Sequence, residues 1–598
     1  MTADSPVAPV APAAPAPPSP AWGLRGRLGQ IALAVLLSIL LVQVIRLDRT
    51  QRPIVGDEAT FAMQAESLAF DLDLRYTRAD YDRFVGLWGR PPDGLILQST
   101  DGGATLTYGK PALYAFAIAP FVRLSPLQGA GIANLCFLAL AAIAVVRALR
   151  PSVGAAIPWW IVCWLFASVS FAYVFWEHAE IFLLAAVAVA YALVYGTEPD
   201  RAPASPARDL LRFALAGALL AAVAATRVFY LALLLPLWLA TPAPRRGTRR
   251  AALVAGVLLL LLASGVGRLA SGGDWSGYGG ERRGFYPRTG YPEVDFPASA
   301  WPQMLEKLGN TAWTQEGAIP WNRSLRLWFW DGWYFVFGRN VGVLPYFLPL
   351  LLGLLAYRPD RGRWAIPLAV AAGMAGFMLV RPHNFYGGVG AIGDRYFLPF
   401  YPALWFLAAR SGRVRSAVIV TALAALFVWP LWRNSELFPI GEDGRYAYVT
   451  SAAERLLPYE TTLSHVPGGQ DVGRDGLWLR LVNGATGRDG DTPWLRAGAW
   501  GEVLIGSPAP LSELRIDFRP ALPAALEVDG GELQALASPA GEFVVGFERP
   551  SARHPMWWTR DDYFLYRLRL RLPASAGGAS NDGRVPFRIL PGVGDPGF

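Results

Sequence analysis

A Gly56-Asp57-Glu58 triplet stands directly after the first long apolar run of the chain. Two adjacent carboxylates at a membrane boundary suit a general base, or a metal ligand, for a reaction on a lipid-borne substrate. Asp57 also has the side chain of a helix N-cap. The apolar positions that follow it, Phe61, Ala65, Leu68 and Ala69, recur at helical spacing, so a short amphipathic helix is expected along the membrane surface. A second acidic cluster, Trp176-Glu177-His178-Ala179-Glu180, falls at a short turn between two apolar runs. Ionisable groups at that depth are costly and mark contacts with substrate or ion. The competing reading is a hydrogen-bonded interfacial turn, because one His beside two Glu is a sparse ligand set for a metal.

Three basic residues complete the set of candidates. Lys110 opens Lys110-Pro111-Ala112-Leu113-Tyr114, Arg227 ends an apolar run at Ala225-Thr226-Arg227, and Arg395 closes the stretch from Gly387 through Gly393-Asp394 to Tyr396. All three fall on the side of the membrane that topology leaves poor in positive charge. A cation there is suited to a lipid-linked phosphate, whose oxygens match the guanidinium fork. Snorkelling to headgroups is the alternative. The glycines before Arg395 let the backbone approach a neighbour closely, but no strand precedes them and no Lys-Ser/Thr follows, so they are no nucleotide-binding fingerprint.

These residues need a scaffold, and composition names its solvent. Of 598 residues 53% are hydrophobic and only 17% charged, with 23 Trp, which is too apolar for a soluble chain of this length. The net charge of +8 is almost all Arg, in short clusters between apolar runs, where topology explains it without nucleic acid. Cys136 and Cys163, the two cysteines, both lie in apolar runs and are read as small core hydrophobes.

Residues 1–24 read as a disordered cytoplasmic tail, rich in Ala, Pro and Ser. Ile31 to Val44 has no small-residue cleavage site and is flanked by Arg25 and Arg27, so it is expected to stay as a first membrane helix. Further candidate spans lie near 127–147, 157–176, 179–195, 209–226, 228–242, 251–268, 333–356, 364–381, 396–409 and 414–431, giving about eleven transmembrane helices in residues 25–432. Arg clusters at 147–150, 201–212, 245–250, 358–363 and 410–415 mark the cytoplasmic side. That leaves two outer loops, 48–126 and 269–332, and a C-terminal region, 433–598, facing outward. In the last, runs such as Leu514 to Phe518 and Phe564 to Leu572 alternate apolar and polar residues, which predicts an extracytoplasmic β-sandwich or jelly-roll-like domain.

The Gly-Asp-Glu after the first span, the Lys-Pro-x-Leu-Tyr in the same loop and an Arg at the outer end of a middle span together resemble the GT-C glycosyltransferases. That group includes the aminoarabinose transferases of lipid A, the protein O-mannosyltransferases and the arabinosyltransferases. The resemblance covers roughly residues 30 to 432. It implies a polytopic α-helical enzyme of the bacterial inner membrane, N-terminus cytoplasmic and C-terminal domain periplasmic, that inverts configuration while moving a sugar from a polyprenyl-phosphate donor to a glycan, lipid or protein acceptor. In that reading Asp57 deprotonates the acceptor hydroxyl with help from Glu58, and Lys110 and Arg227 match positions associated with the donor phosphate. Glu177 matches a second-loop acidic position, while His178 and Glu180 remain tentative substrate or metal contacts. No cofactor is assigned, and a divalent cation stays open. Ala112 departs from the second Pro common in the lipid A branch, and the appended β domain is absent there in this form. Two other classes compete. A transporter or flippase of lipid-linked sugars would place polar residues at mid-bilayer, and an O-antigen ligase or polymerase would not need the Asp-Glu pair where it stands.

Overall fold

The computed structural model describes residues 23–51, 54, 56–196, 205–241, 245–270, 275, 281–301, 325–360, 362–388, 391–434, 446–463, 469–471, 477–483, 485–489, 492–518, 526–529, 532–538, 542–547, 553–555, 562–577 and 583–591. The Ala/Pro/Ser-rich start, much of the second outer loop, and Val389 and Gly390 of the glycine stretch lie outside these.

Helix α1 (Leu24–Arg46) leaves Leu28, Ile31, Val35, Ile39, Val42 and Ile45 exposed along one apolar face, as a helix bordering lipid does. Among the described residues four helical stretches are long and apolar enough to cross a membrane: α1, Gly129–Phe166, α10 (Arg246–Ala270) and Val414–Arg433. Shorter apolar helices follow at Leu113–Leu124, Glu180–Tyr195, Val228–Leu239 and Ala365–Val380. Several apolar runs read as single spans are broken. Residues 333–356 divide into the end of Leu325–Phe337 and two short helices, Val343–Tyr346, which contains Pro345, and Leu350–Leu355, which Pro349 precedes. Of 396–409 only Tyr401–Trp405 is α-helical, between Pro399 and the chain's return. Cys163 is buried, but Cys136 is exposed on the outer face of α5 (Gly129–Val153), so only the first is a core residue.

Two helices approach to backbone contact. In α8 (Pro206–Ala224) and α10, a Cβ added to Gly217 would run into the Leu253 carbonyl, and one added to Gly256 into the Ala214 carbonyl. Small residues are how helices gain packing where lipid removes the hydrophobic drive. Gly256→Leu should therefore separate the pair at a cost of about 1–3 kcal/mol or more. A Tm of the detergent-purified variant equal to that of the parent would show that the contact does not clamp the helices.

The two long loops, 48–126 and 269–332, build a layer of their own. Strand β1 (Leu95–Ser99) of the first loop pairs with β2 (Thr107–Tyr108) and, over five residues, with β3 (Glu281–Phe285) of the second. Helix α2 (Asp57–Phe70) lies beneath this sheet with every residue from Glu58 to Leu68 buried. Phe61, Ala65 and Leu68 join the core of the helical module, while Ala59, Ala62 and Met63 join the core under the sheet with Tyr76, Trp88 and Trp301. The expected amphipathic helix is thus present but does not lie on a surface, because the second loop supplies a cover for its other face.

Downstream, two antiparallel sheets share one core. One contains β5 (Trp478–Leu481), β8 (Trp500–Ser507) and β14 (Asp562–Arg571), and the other β7 (Thr492–Arg496), β9 (Glu513–Phe518), β12 (Glu542–Gly546) and β15 (Arg584–Pro591). Leu479, Val503, Ile505 and Leu568 from the first meet Leu495, Ile516, Val545 and Phe587 from the second. The segment leading into them, with Tyr446, Tyr448, Tyr459 and Leu463, packs instead into the helical core.

Candidate active site

Asp57 is the first residue of α2. Gly56, at φ +57°, occupies the cap, and no side chain caps the helix. The carboxylate therefore has no capping duty. Its Oδ1 lies 2.5 Å from Lys110 Nζ and its Oδ2 accepts from Arg395 Nη2 at 3.1 Å. Beyond it, Arg395 Nε stands 3.4 Å from Glu180 Oε1, and Arg395 Nη1 is 3.5 Å from His178 Nδ1, which in turn is 3.7 Å from Glu180 Oε2. Four stretches far apart in sequence thus meet in one line of alternating charge, Lys110, Asp57, Arg395 and Glu180. The Asp57 side chain is 23% exposed while the Lys110 and Arg395 side chains are almost covered, at 4% and 8%.

Burial alone would raise the Asp57 carboxyl, but Lys110, then Arg395 and His178, outweigh it and hold it well below the usual carboxylate range. For Lys110 burial dominates, pushing the ammonium down to about 8 against the pull of Asp57, with Arg282 adding to the depression. The site therefore holds an ionised carboxylate beside a cation that gives up its proton within reach of physiological pH.

The other candidates divide. Arg227 donates to Tyr396 Oη at 2.6 Å and covers that ring at 3.9 Å, which places it one residue along from Arg395. Glu58 and Glu177 belong to a neighbouring buried network: Glu58 Oε1 accepts from the Glu177 backbone N–H at 3.3 Å, and the Glu177 carboxylate pairs with buried Arg49. Among the described residues no group of three or more His, Cys, Asp or Glu is placed to hold a metal ion.

Three further residues reach the site without having been singled out in the sequence. The Lys110 carbonyl accepts from Gln64 Nε2 at 3.2 Å and from Arg268 Nη1 at 3.0 Å, and the Gly109 carbonyl accepts from Arg282 Nη2 at 2.6 Å. Helices α2 and α10 and strand β3 together fix the backbone that carries Lys110. Arg268 and Arg282 met the same criterion as Lys110, a basic residue on the outer side, and that signal was available.

No family model matches the chain, and no curated protein matches it. Among solved structures, the crystal structure of ArnT from Cupriavidus metallidurans bound to undecaprenyl phosphate is similar to it at a TM-score of 0.35 and 14% identity, over 65% of this chain and 60% of that one. The chain spans less than two thirds of that protein's length.

Proposed function

We propose that the chain is an inverting, GT-C-type glycosyltransferase that takes a sugar from a polyprenyl-phosphate donor at the outer face of the inner membrane and gives it to a glycan, lipid or protein acceptor. The observation that carries this reading is the placement of a partly exposed Asp57 carboxylate between two nearly buried cations, Lys110 and Arg395. A carboxylate accepts the proton of an attacking hydroxyl, and two cations beside it stabilise a phosphate leaving group whose charge grows as the anomeric C–O bond breaks. In this reaction the acceptor oxygen bonds to the anomeric carbon from the face opposite the phosphate, its proton passes to Asp57, and the bonding pair leaves with the phosphate. The donor phosphate shares Lys110 and Arg395 with Asp57, which loosens their hold on the carboxylate and raises its basicity when the base is needed. Glu180 and His178 hold the far side of Arg395, and Arg227 supports it through Tyr396. The C-terminal region binds glycan or positions the acceptor.

Transfer from a panel of synthetic polyprenyl-phosphate pentoses and hexoses tests the reading, with release of polyprenyl phosphate as the readout. If the pure protein, shown to be folded, consumes none of them, the donor class is wrong. With an accepted donor, kcat/KM should fall as pH rises through about 8, where free Lys110 loses its proton. Lys110→Arg should move that limb upward, since guanidinium keeps its charge. An identical alkaline limb in the variant would remove Lys110 from phosphate binding.

A further inference from the structure

Arg395 is carried by a short irregular segment, and its side chain can meet Asp57 only if that segment is held still. The Arg395 N–H donates to the Tyr386 carbonyl at 2.9 Å, and the Ile392 N–H donates to Tyr173 Oη at 3.0 Å. Tyr230 Oη also donates to the Tyr396 carbonyl at 3.0 Å, and further support comes from beyond the last long helix. Tyr448, wholly buried, accepts from the Gly393 N–H at 3.2 Å, and its hydroxyl has the Asn340 carbonyl at 2.8 Å and the Ala391 carbonyl at 3.2 Å within reach of its single proton. Gly393 sits at φ +64° with Tyr346 against it, so this turn is shaped by what surrounds it. Asn340 is itself anchored: Glu460 Oε1 accepts from the Asn340 N–H at 2.7 Å and the Val341 N–H at 3.1 Å, and Glu460 Oε2 accepts from Asn340 Nδ2 at 2.5 Å. A fully buried carboxylate with three donors is a rigid post.

We propose that Tyr448 and Glu460 are positioning residues for Arg395, so that the segment between the helical module and the β sheets is a brace of the active site and not a mere linker. The chain of contacts runs from Glu460 through Asn340 and Tyr448 to Gly393, two residues from Arg395. The proposal rests on the reading of Asp57, Lys110 and Arg395 as one site, and it assigns part of that site's geometry to residues outside the region that resembles known transferases.

The test uses the full-length protein and Tyr448→Phe, which keeps the ring and removes the hydroxyl, with Glu460→Gln as a second variant that keeps the shape of the post. One readout is kcat and donor KM, in the parent and in an Arg395→Ala background. If Tyr448 acts through Arg395, Tyr448→Phe should cost about 3- to 10-fold in kcat/KM in the parent, one neutral hydrogen bond's worth, and almost nothing once Arg395 is gone. Equal losses in both backgrounds, or a loss matched by a fall in Tm that Tyr448→Phe shares with unrelated core substitutions, would overturn it. A second readout needs no turnover. Lys110 and Lys307 are the only lysines, so acetylation of Lys110 against pH is readily followed by peptide mapping. Freeing Arg395 from Asp57 leaves the carboxylate to Lys110 and raises the lysine's pKa, so Arg395→Ala and Tyr448→Phe should both shift its profile upward, the second by less. A shift in Arg395→Ala with none in Tyr448→Phe and Glu460→Gln refutes the brace, whereas shifts in all three with no transfer by the parent refute the proposed reaction and leave the brace standing.

Discussion

Asp57→Asn should lower turnover by about 10²- to 10⁴-fold, the range in which a positioned base contributes. The amide keeps the size of the carboxylate and removes both its charge and its proton affinity. Because Asp57 caps nothing, the helix loses no cap, and the structural cost falls elsewhere: Lys110 and Arg395 are left facing each other with no anion between them. Removing one partner of a largely buried pair destabilises, so a lowered Tm should accompany the loss, and added polyprenyl phosphate should restore part of it by supplying the missing negative charge. A variant with parental turnover would take Asp57 out of the reaction.

Arg395→Ala should cost more than Arg227→Ala. One charge-assisted contact contributes about 1.5 to 3 kcal/mol, which is roughly tenfold to a hundredfold in kcat/KM. Arg395 also separates Asp57 from Glu180, so its removal sets two carboxylates against each other and draws the Asp57 proton affinity upward. Arg227 instead rests on Tyr396 and retains exposed surface, so its loss should act mainly on donor KM. Equal effects of the two substitutions would show that the line of charges is not the phosphate site.

Much of this was legible in the sequence for a physical reason. Ionisable groups in a lipid-solvated chain are too costly to be incidental, so Asp57, Lys110, Glu180 and Arg395 stand out one by one. Their convergence was not legible, since it depends on how α2, α7 (Glu180–Tyr195) and the segment after Phe385 pack. Asp57 looked like a cap because its type and place are right for one, yet Gly56 takes that position and the carboxylate turns to cations contributed from far along the chain. Helix α2 read as surface-lying because periodicity reports one apolar face. Its second face, Ala59, Ala62 and Met63, offers one large apolar side chain and two small ones, too little to read as a stripe until β1 and β3 cover it. Glu58 and Glu177 shared the local signal of their neighbours, and their contacts with each other and with Arg49 show only in the fold. Gln64 carried no charge to draw notice.

The pairing of β1 with β3 joins the two long loops across everything from α4 (Leu113–Leu124) to α10. Such a contact cannot form as the chain emerges. Strand β1 must wait for β3 while the intervening helices are made, and contacts this distant in sequence form late. Arg395 and Tyr448 arrive later still. During biogenesis Asp57 and Lys110 are thus made long before the arginine that completes their charge pattern, and the proposed centre comes into being only when nearly the whole helical module has been delivered. A nascent chain that stops short of Arg395 would hold the Asp57–Lys110 ion pair but no assembled centre, so the proposed transfer would begin with the last helices and not with the first.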